Sequence, residues 1–222
     1  MKAIILAGGF GKRLKPITDY VPKPLVPIKN IPIIDWQIKY LKKFGVDEVI
    51  VSTGYKKDMI ENYLKSKDHN IHIKYSHEKS PLGTGGAIKK AGNLIKDDVF
   101  FVMNGDIITN IDLNKMISTP NSIASIELRT NFGILDVKDD KITKFREKKE
   151  ISDLWMNAGI YFLERKILKN LPFKGDIEKT FFPEFAEKNL LNLIKFKNVK
   201  WFSIDSFKDI EESSKEIEKI IK

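Results

Sequence analysis

The residues of this chain best suited to chemistry sit in three glycine-containing segments. The first is Leu6-Ala7-Gly8-Gly9-Phe10-Gly11-Lys12-Arg13-Leu14, directly after a short apolar run. Glycines there let the backbone approach a ligand, and successive N–H groups can surround phosphate oxygens. The segment is not G-x-G-x-x-G, because Leu14 takes the third glycine position. Nor is it a Walker A loop, because Leu6 and Arg13 replace the first glycine and the Ser/Thr. By itself it is also compatible with an ordinary tight turn. The continuation argues for a site. Pro16, Pro22, Pro24 and Pro27 stiffen the chain, and Lys23 is held between two of them. A rigid backbone around one lysine suits an ammonium that must be positioned. The second segment is Ser80-Pro81-Leu82-Gly83-Thr84-Gly85-Gly86, between a strand and a helix, at the edge where open α/β sheets bind ligands. The third is Asn104-Gly105-Asp106, which brings a carboxylate to the end of another strand. Magnesium is commonly held by one or two such carboxylates together with phosphates.

Gly8-Gly9-x-Gly11-x-Arg13-Leu14-x-Pro16-x-Thr18, followed by Pro22-Lys23-Pro24-Leu25, resembles the signature of the sugar-1-phosphate nucleotidylyltransferases. The resemblance extends to about residue 215 and is strongest to the mannose-1-phosphate and heptose-1-phosphate guanylyltransferases. It implies a Rossmann-like α/β/α fold with a mostly parallel mixed sheet. It implies a reaction in which an NTP and a sugar 1-phosphate give an NDP-sugar and pyrophosphate, with Mg2+ as cofactor. Leu6, Ala7, Gly8, Gly9, Gly11 and Lys12, with Pro81, Leu82, Gly83 and Thr84, would bind the nucleotide. Arg13 would hold the leaving β,γ-phosphates, and Lys23 the α-phosphate and the sugar phosphate. Asp106 would be a metal ligand. The form Pro-Leu-Gly-Thr-x-Gly is common among guanylyl-transferring members. Thymidylyl-type members usually carry a glutamine in this loop, and the one glutamine here, Gln37, is far from it. GTP is therefore favoured.

The resemblance also carries acceptor-side residues: Asn104, Gly133, Glu147, Lys148, Asn157 and Glu178. Two departures stand out. Lys149 replaces the proline of a Glu-Lys-Pro segment. In the family's Trp-x-Asp-x-Gly segment, Ser203 takes the aspartate position and Asp205 the glycine position. Residues 203 and 205 of a strand face the same way, so Asp205 is expected to supply the second metal carboxylate, the alternatives being Ser203 acting through water or an impaired metal site. Alternatives within the class are UTP, dTTP or CTP with glucose 1-phosphate or another phosphorylated acceptor. A non-catalytic nucleotide-sugar-binding paralogue is the reading that the two departures would favour.

The elements that must position these residues alternate. Strands are expected at 2–7, 48–53, 71–76 and 98–103, and helices at 32–44, 57–66 and 84–95. In 32–44, Ile34, Ile38, Leu41 and Phe44 recur at helical spacing. Such a βαβαβαβ order predicts a largely parallel, doubly wound sheet. Later strands are expected at 122–129, 133–147 (turning at Asp139-Asp140) and 156–163, with helices at 165–171, 178–189 and 207–221. Residues 1–222 are read as one domain, with a nucleotide half to about 110, an acceptor half after it and no C-terminal repeat domain.

Composition narrows the rest. The 222 residues include no cysteine, which excludes disulfides, thiolate catalysis and cysteine zinc sites. His69, His72 and His77 lack metal-ligand spacing. The net charge of +9 suits an anionic partner, but the lysines are scattered and not interleaved with aromatics, so nucleic acid is not expected. No apolar run reaches the roughly 20 residues of a membrane span, and residues 1–7 read as a strand, not a signal peptide. A cytoplasmic protein is expected, and a homodimer is compatible with the sequence.

Overall fold

The computed structural model describes residues 1–130, 132–146 and 150–220, with the backbone alone at 150–153. Seven strands share one sheet: β1 (Lys2–Ala7), β2 (Glu48–Thr53), β3 (His72–His77), β4 (Val99–Asn104), β5 (Ser122–Arg129), β6 (Glu150–Glu164) and β7 (Asn192–Phe196). Their spatial order is β7-β5-β6-β4-β1-β2-β3. β1 lies parallel to β2 and β4, β2 to β3, and β5 to β7. Only β6 is antiparallel, to both β4 and β5. The result is the expected mostly parallel mixed sheet, and it runs unbroken across both halves of the chain.

Helices cover both faces, which is why β2 is buried at all of its positions. Alternation along β1 divides the core. Ala3, Ile5 and Ala7 pack with Ile34, Ile38 and Leu41 of helix Ile33–Lys43 and with Ile217 of helix Phe207–Ile220. Ile4 packs on the opposite face with Ile88 and Ala91 of helix Gly83–Gly92 and with Phe181 and Phe182. The spacing seen in the sequence at 34, 38 and 41 is thus the buried stripe of a covering helix. No helix among the described residues is long and apolar enough to cross a membrane.

Departures from expectation concentrate in the second half. The hairpin expected to turn at Asp139-Asp140 is present, as Ile134–Lys138 against Lys141–Arg146, but as a two-stranded sheet of its own outside the main sheet. Asp139 and Asp140 both take positive φ, 45° and 61°, as a two-residue hairpin turn of the primed type requires. The helix expected at 165–171 is a 3-10 turn over Arg165–Lys169, and that at 178–189 contracts to Phe181–Glu187. Strand β7 has no counterpart among the expected elements. It is an edge strand, with Leu193 48% exposed and Phe196 buried, and its apolar residues Leu193, Ile194 and Phe196 do not alternate with polar ones.

Candidate active site

The ends of β1 and β4 lie side by side, and the chain that follows each makes the floor of a cleft. Gly105 N–H donates to Leu6 O at 3.0 Å, which ties the two strand ends together. Beyond Ala7 the chain turns. Gly11 takes φ +62°, and a Cβ there would lie 2.9 Å from Thr18 Cγ2 and 3.1 Å from Lys23 Cβ. Only glycine meets both demands without strain. Leu14 is fully buried and anchors the 3-10 turn Lys12–Leu14, leaving Arg13 on the open side, 74% exposed. Tyr55 clamps the loop at both ends. Its N–H donates to Gly8 O (3.2 Å), and its hydroxyl to Thr18 O (3.0 Å).

Lys23 projects from the rigid Pro22–Pro24 segment into the cleft. Its Nζ is 2.8 Å from Asp106 Oδ2 and 2.7 Å from Asp205 Oδ1. Arg13 Nη2 is 2.8 Å from the same Asp205 oxygen. Asp106 and Asp205 are brought together by a short antiparallel ladder of Ile107–Thr109 with Trp201–Ser203. Past its end, Ile204 N–H donates to Asp106 O at 2.9 Å. Asp209, in the first turn of the last helix, accepts from the backbone N–H of Asp205 (2.9 Å) and of Ser206 (2.7 Å) and so fixes the Asp205 backbone. The ladder ends at Ser203, yet the Ser203 hydroxyl donates to Asp205 Oδ2 at 2.9 Å, so the two side chains do converge. Burial alone would raise the Asp205 pKa. The hydrogen bond and charge of Lys23, the Ser203 hydroxyl and the Arg13 charge outweigh it and hold the carboxyl below its ordinary value.

The cleft has a volume of about 400 Å³. Every nucleotide-side residue singled out from the sequence lines it except Leu82, as do both aspartates. Leu82 instead uses its backbone, donating to Glu78 Oε2 (3.0 Å) and accepting from Gly175 N–H (2.7 Å). Of the acceptor-side residues, Asn104 lines the cleft, with its Oδ1 buried and without a hydrogen-bond partner among the described residues. Asn157 and Glu178 do not line it. They stand behind its rim, joined through the Tyr161 hydroxyl at 3.0 and 3.1 Å. Gly133 lies in the separate hairpin region against the Phe145 ring. Glu147, Lys148 and Lys149 fall outside the described residues. His77 approaches Thr53 and Glu61, and His69 approaches Asp35; no group of three or more His, Asp or Glu among the described residues is placed to hold a metal.

Sequence reasoning missed Glu78, Asp176 and Tyr55. Glu78 and Asp176 line the cleft. The signal for Glu78 was available: it follows β3 directly, just as Gly8 follows β1. Placing that strand one residue early concealed the relationship.

Two carboxylates converging on one cation, beside a glycine-rich turn with an arginine and at the carboxyl ends of parallel strands, suit a polyphosphate ligand with a hard divalent ion. The model of the nucleotidyl transferase family matches residues 2–220. The chain belongs to the nucleotidyl transferase family. A D-glycero-alpha-D-manno-heptose 1-phosphate guanylyltransferase of Aneurinibacillus thermoaerophilus is 38% identical to this nucleotidyl transferase over 87% of the chain and 89% of its own length. A probable mannose-1-phosphate guanylyltransferase 1 of Oryza sativa subsp. japonica is 37% identical over 85% of this chain and 57% of its own. The crystal structure of HddC from Yersinia pseudotuberculosis complexed with GMP-PN superposes with a TM-score of 0.77, at 29% identity, over 97% of this chain and 98% of that one.

Proposed function

We propose that this nucleotidyl transferase moves a guanylyl group from GTP to the phosphate of a heptose 1-phosphate or mannose 1-phosphate, releasing pyrophosphate. The observation that carries the reading is the Lys23 ammonium bridging Asp106 and Asp205 at the mouth of the glycine turn, with Arg13 beside it. The guanylyltransferase relatives supply the base and the acceptor class. Their identities, 38% and 37%, do not separate heptose from mannose.

An oxygen of the sugar phosphate attacks the α-phosphorus of GTP in line. The bond from that phosphorus to the bridging oxygen of the β-phosphate breaks, and the electron pair leaves with pyrophosphate. The attacking phosphate is already anionic, so no general base is required and no covalent enzyme intermediate forms. What remains is alignment and charge neutralisation. Backbone N–H groups of residues 8–13 and the Arg13 guanidinium hold the departing phosphates. Lys23, in its proline-stiffened segment, holds the α-phosphate and the incoming phosphate. Asp106 and Asp205 fit Mg2+, since the point between them already holds a positive charge and offers hard oxygen donors. When bound, Mg2+ would neutralise phosphate charge.

Glu78 is placed to read the base. Its carboxylate lies in the cleft, braced by Ser52 Oγ at 3.2 Å and Leu82 N–H at 3.0 Å. Guanine presents N1–H and N2–H donors, which a carboxylate accepts, whereas uracil and thymine offer N3–H alone and cytosine only its N4 amino group. Asn104 lines the cleft, and its Oδ1 has no hydrogen-bond partner among the described residues, so in this reading it contacts the acceptor. Glu147 and Lys148 complete the acceptor side in this reading. The chain acts as one domain in the cytoplasm, where nucleoside triphosphates are available.

The test is pyrophosphate release with GTP, UTP, dTTP, CTP and ATP, each against heptose, mannose and glucose 1-phosphates. The expected outcome is release with GTP and a heptose or mannose 1-phosphate. Release only with a pyrimidine triphosphate would overturn the base assignment, and no release with any pair would overturn the activity.

A further inference from the structure

The nucleotide loop and the acceptor half are joined by a part-buried polar bridge that the reaction scheme above does not use. The segment 175–178 wraps the loop 82–86. Gly175 N–H donates to Leu82 O (2.7 Å), and Gly85 N–H donates to Gly175 O (2.9 Å). Gly83 makes the approach feasible, with φ +72° and no Cβ to meet the Gly175 carbonyl carbon at 2.6 Å. At the centre is Thr84. Its Oγ1 accepts from Ile177 N–H at 2.8 Å, which commits its one proton to donation, and that proton goes to Glu178 Oε2 at 2.6 Å. The other Glu178 oxygen accepts from the Tyr161 hydroxyl at 3.1 Å. Tyr161 is fully buried and also accepts from Asn157 Nδ2 at 3.0 Å. Burial and the nearby Glu178 charge push its hydroxyl far above the ordinary tyrosine range, so it stays a neutral donor.

We propose that Thr84 and Tyr161 are positioning residues that hold the Glu178 carboxylate between them, so that a side chain of the nucleotide loop sets the acceptor subsite and the two substrates bind with mutual dependence. The inference rests on the reading of Glu178 as an acceptor-side residue. Thr84 lines the nucleotide cleft, so a local role would show in the KM for GTP alone. The bridge predicts that the larger effect falls on the other substrate. A carboxylate that loses one of its two oriented donors swings or demands a new partner, and the subsite it defines is lost with it.

The experiment is a double-mutant cycle in steady-state kinetics, with GTP and the sugar 1-phosphate selected by pyrophosphate release. Thr84→Val is expected to raise the KM for the sugar 1-phosphate about tenfold and that for GTP less, and Thr84→Ser, which restores the hydroxyl, is expected to recover most of the acceptor KM that Thr84→Val loses. Tyr161→Phe, which keeps the ring in the core, is expected to act in the same direction. In a Glu178→Ala background, either change is expected to leave the acceptor KM where Glu178→Ala set it. An equal rise in both backgrounds, or a rise confined to the KM for GTP, would overturn the bridge. If Glu178→Ala alone leaves the acceptor KM unchanged, the acceptor-side reading fails instead. Thermal melts identify any variant that has not folded; should Thr84→Val be one, Tyr161→Phe decides the cycle.

Discussion

Lys23 and Asp205, 182 residues apart in sequence, meet at 2.7 Å in the cleft, and Lys23 reaches Asp106 with the same ammonium. Lys23 is only 14% exposed, so both contacts form where water screens them weakly. Such a cation, held between two carboxylates and flanked by prolines, is in the cleft before substrate arrives. The prolines fix where its stem enters the cleft, and a bound Mg2+ would take the place of the ammonium between the carboxylates and turn it toward the phosphates.

Replacing Lys23 should therefore act on turnover more than on folding. Lys23→Ala is expected to lower kcat roughly 100-fold, equivalent to about 3 kcal/mol of lost charge stabilisation. The measurement is pyrophosphate release at saturating GTP and sugar phosphate. A kcat within threefold of wild type would remove Lys23 from the reaction.

Asp205 and Ser203 test how the site accommodates its displaced aspartate. Asp205→Asn is expected to cut turnover far more than Ser203→Ala, because Ser203 only donates to a carboxylate that Lys23 and Arg13 already hold. The Mg2+ concentration needed for half-maximal rate is expected to rise in Asp205→Asn. Wild-type activity of Asp205→Asn at saturating Mg2+ would show that Asp205 is not the second ligand.

The parts of this site that were legible in the sequence are those fixed by local chain chemistry. Gly11 needs its positive φ, Lys23 needs its prolines, and Asp106 needs a strand ahead of it; each requirement shows within a few residues. The convergence of Asp205 on Asp106 was legible through strand alternation, although the strand itself stops at Ser203. The Thr84–Glu178–Tyr161 bridge was not legible. It joins Thr84 to Glu178, 94 positions on, and reaches Glu178 also through a tyrosine 17 positions before it that reads in sequence as an ordinary core residue. Strand β7 was hidden for a different reason: Leu193 and Ile194 are adjacent apolar residues, so Asn192–Phe196 lacks the apolar-polar alternation that marks a strand.

The depressed Asp205 carboxyl has a consequence for acid stability in the ligand-free protein. Its pKa lies below the ordinary 3.8 in the folded state. A group depressed on folding contributes stability that is fully present above its unfolded value and is lost as the pH falls through its folded value. The difference in Tm between wild type and Asp205→Asn is thus expected to hold from neutrality down to about pH 4 and to close below it. A difference that stays constant between pH 7 and pH 3 would mean that the charge of Asp205 contributes nothing to the fold.

Glu78 gives the sharpest test of base choice. Its carboxylate accepts at both oxygens from the protein, from Ser52 and from Leu82 N–H, and an ionised carboxylate oxygen can accept more than one hydrogen bond, so Glu78 can also accept from a ligand in the cleft it lines. Two donors on guanine match two acceptor oxygens. Glu78→Gln keeps one acceptor, which can still receive the Leu82 N–H and preserve the loop, and turns the other into a donor. That donor would face a guanine N–H but suits a pyrimidine carbonyl. The expected result is a fall in kcat/KM for GTP of roughly 10- to 100-fold, in line with about 1–3 kcal/mol for a mismatched polar contact. The ratio of UTP or dTTP to GTP use should rise at the same time, with an unchanged KM for the sugar 1-phosphate. A uniform fall for all nucleotides would instead make Glu78 a brace for the loop at Leu82 and leave base choice to the backbone around Gly83.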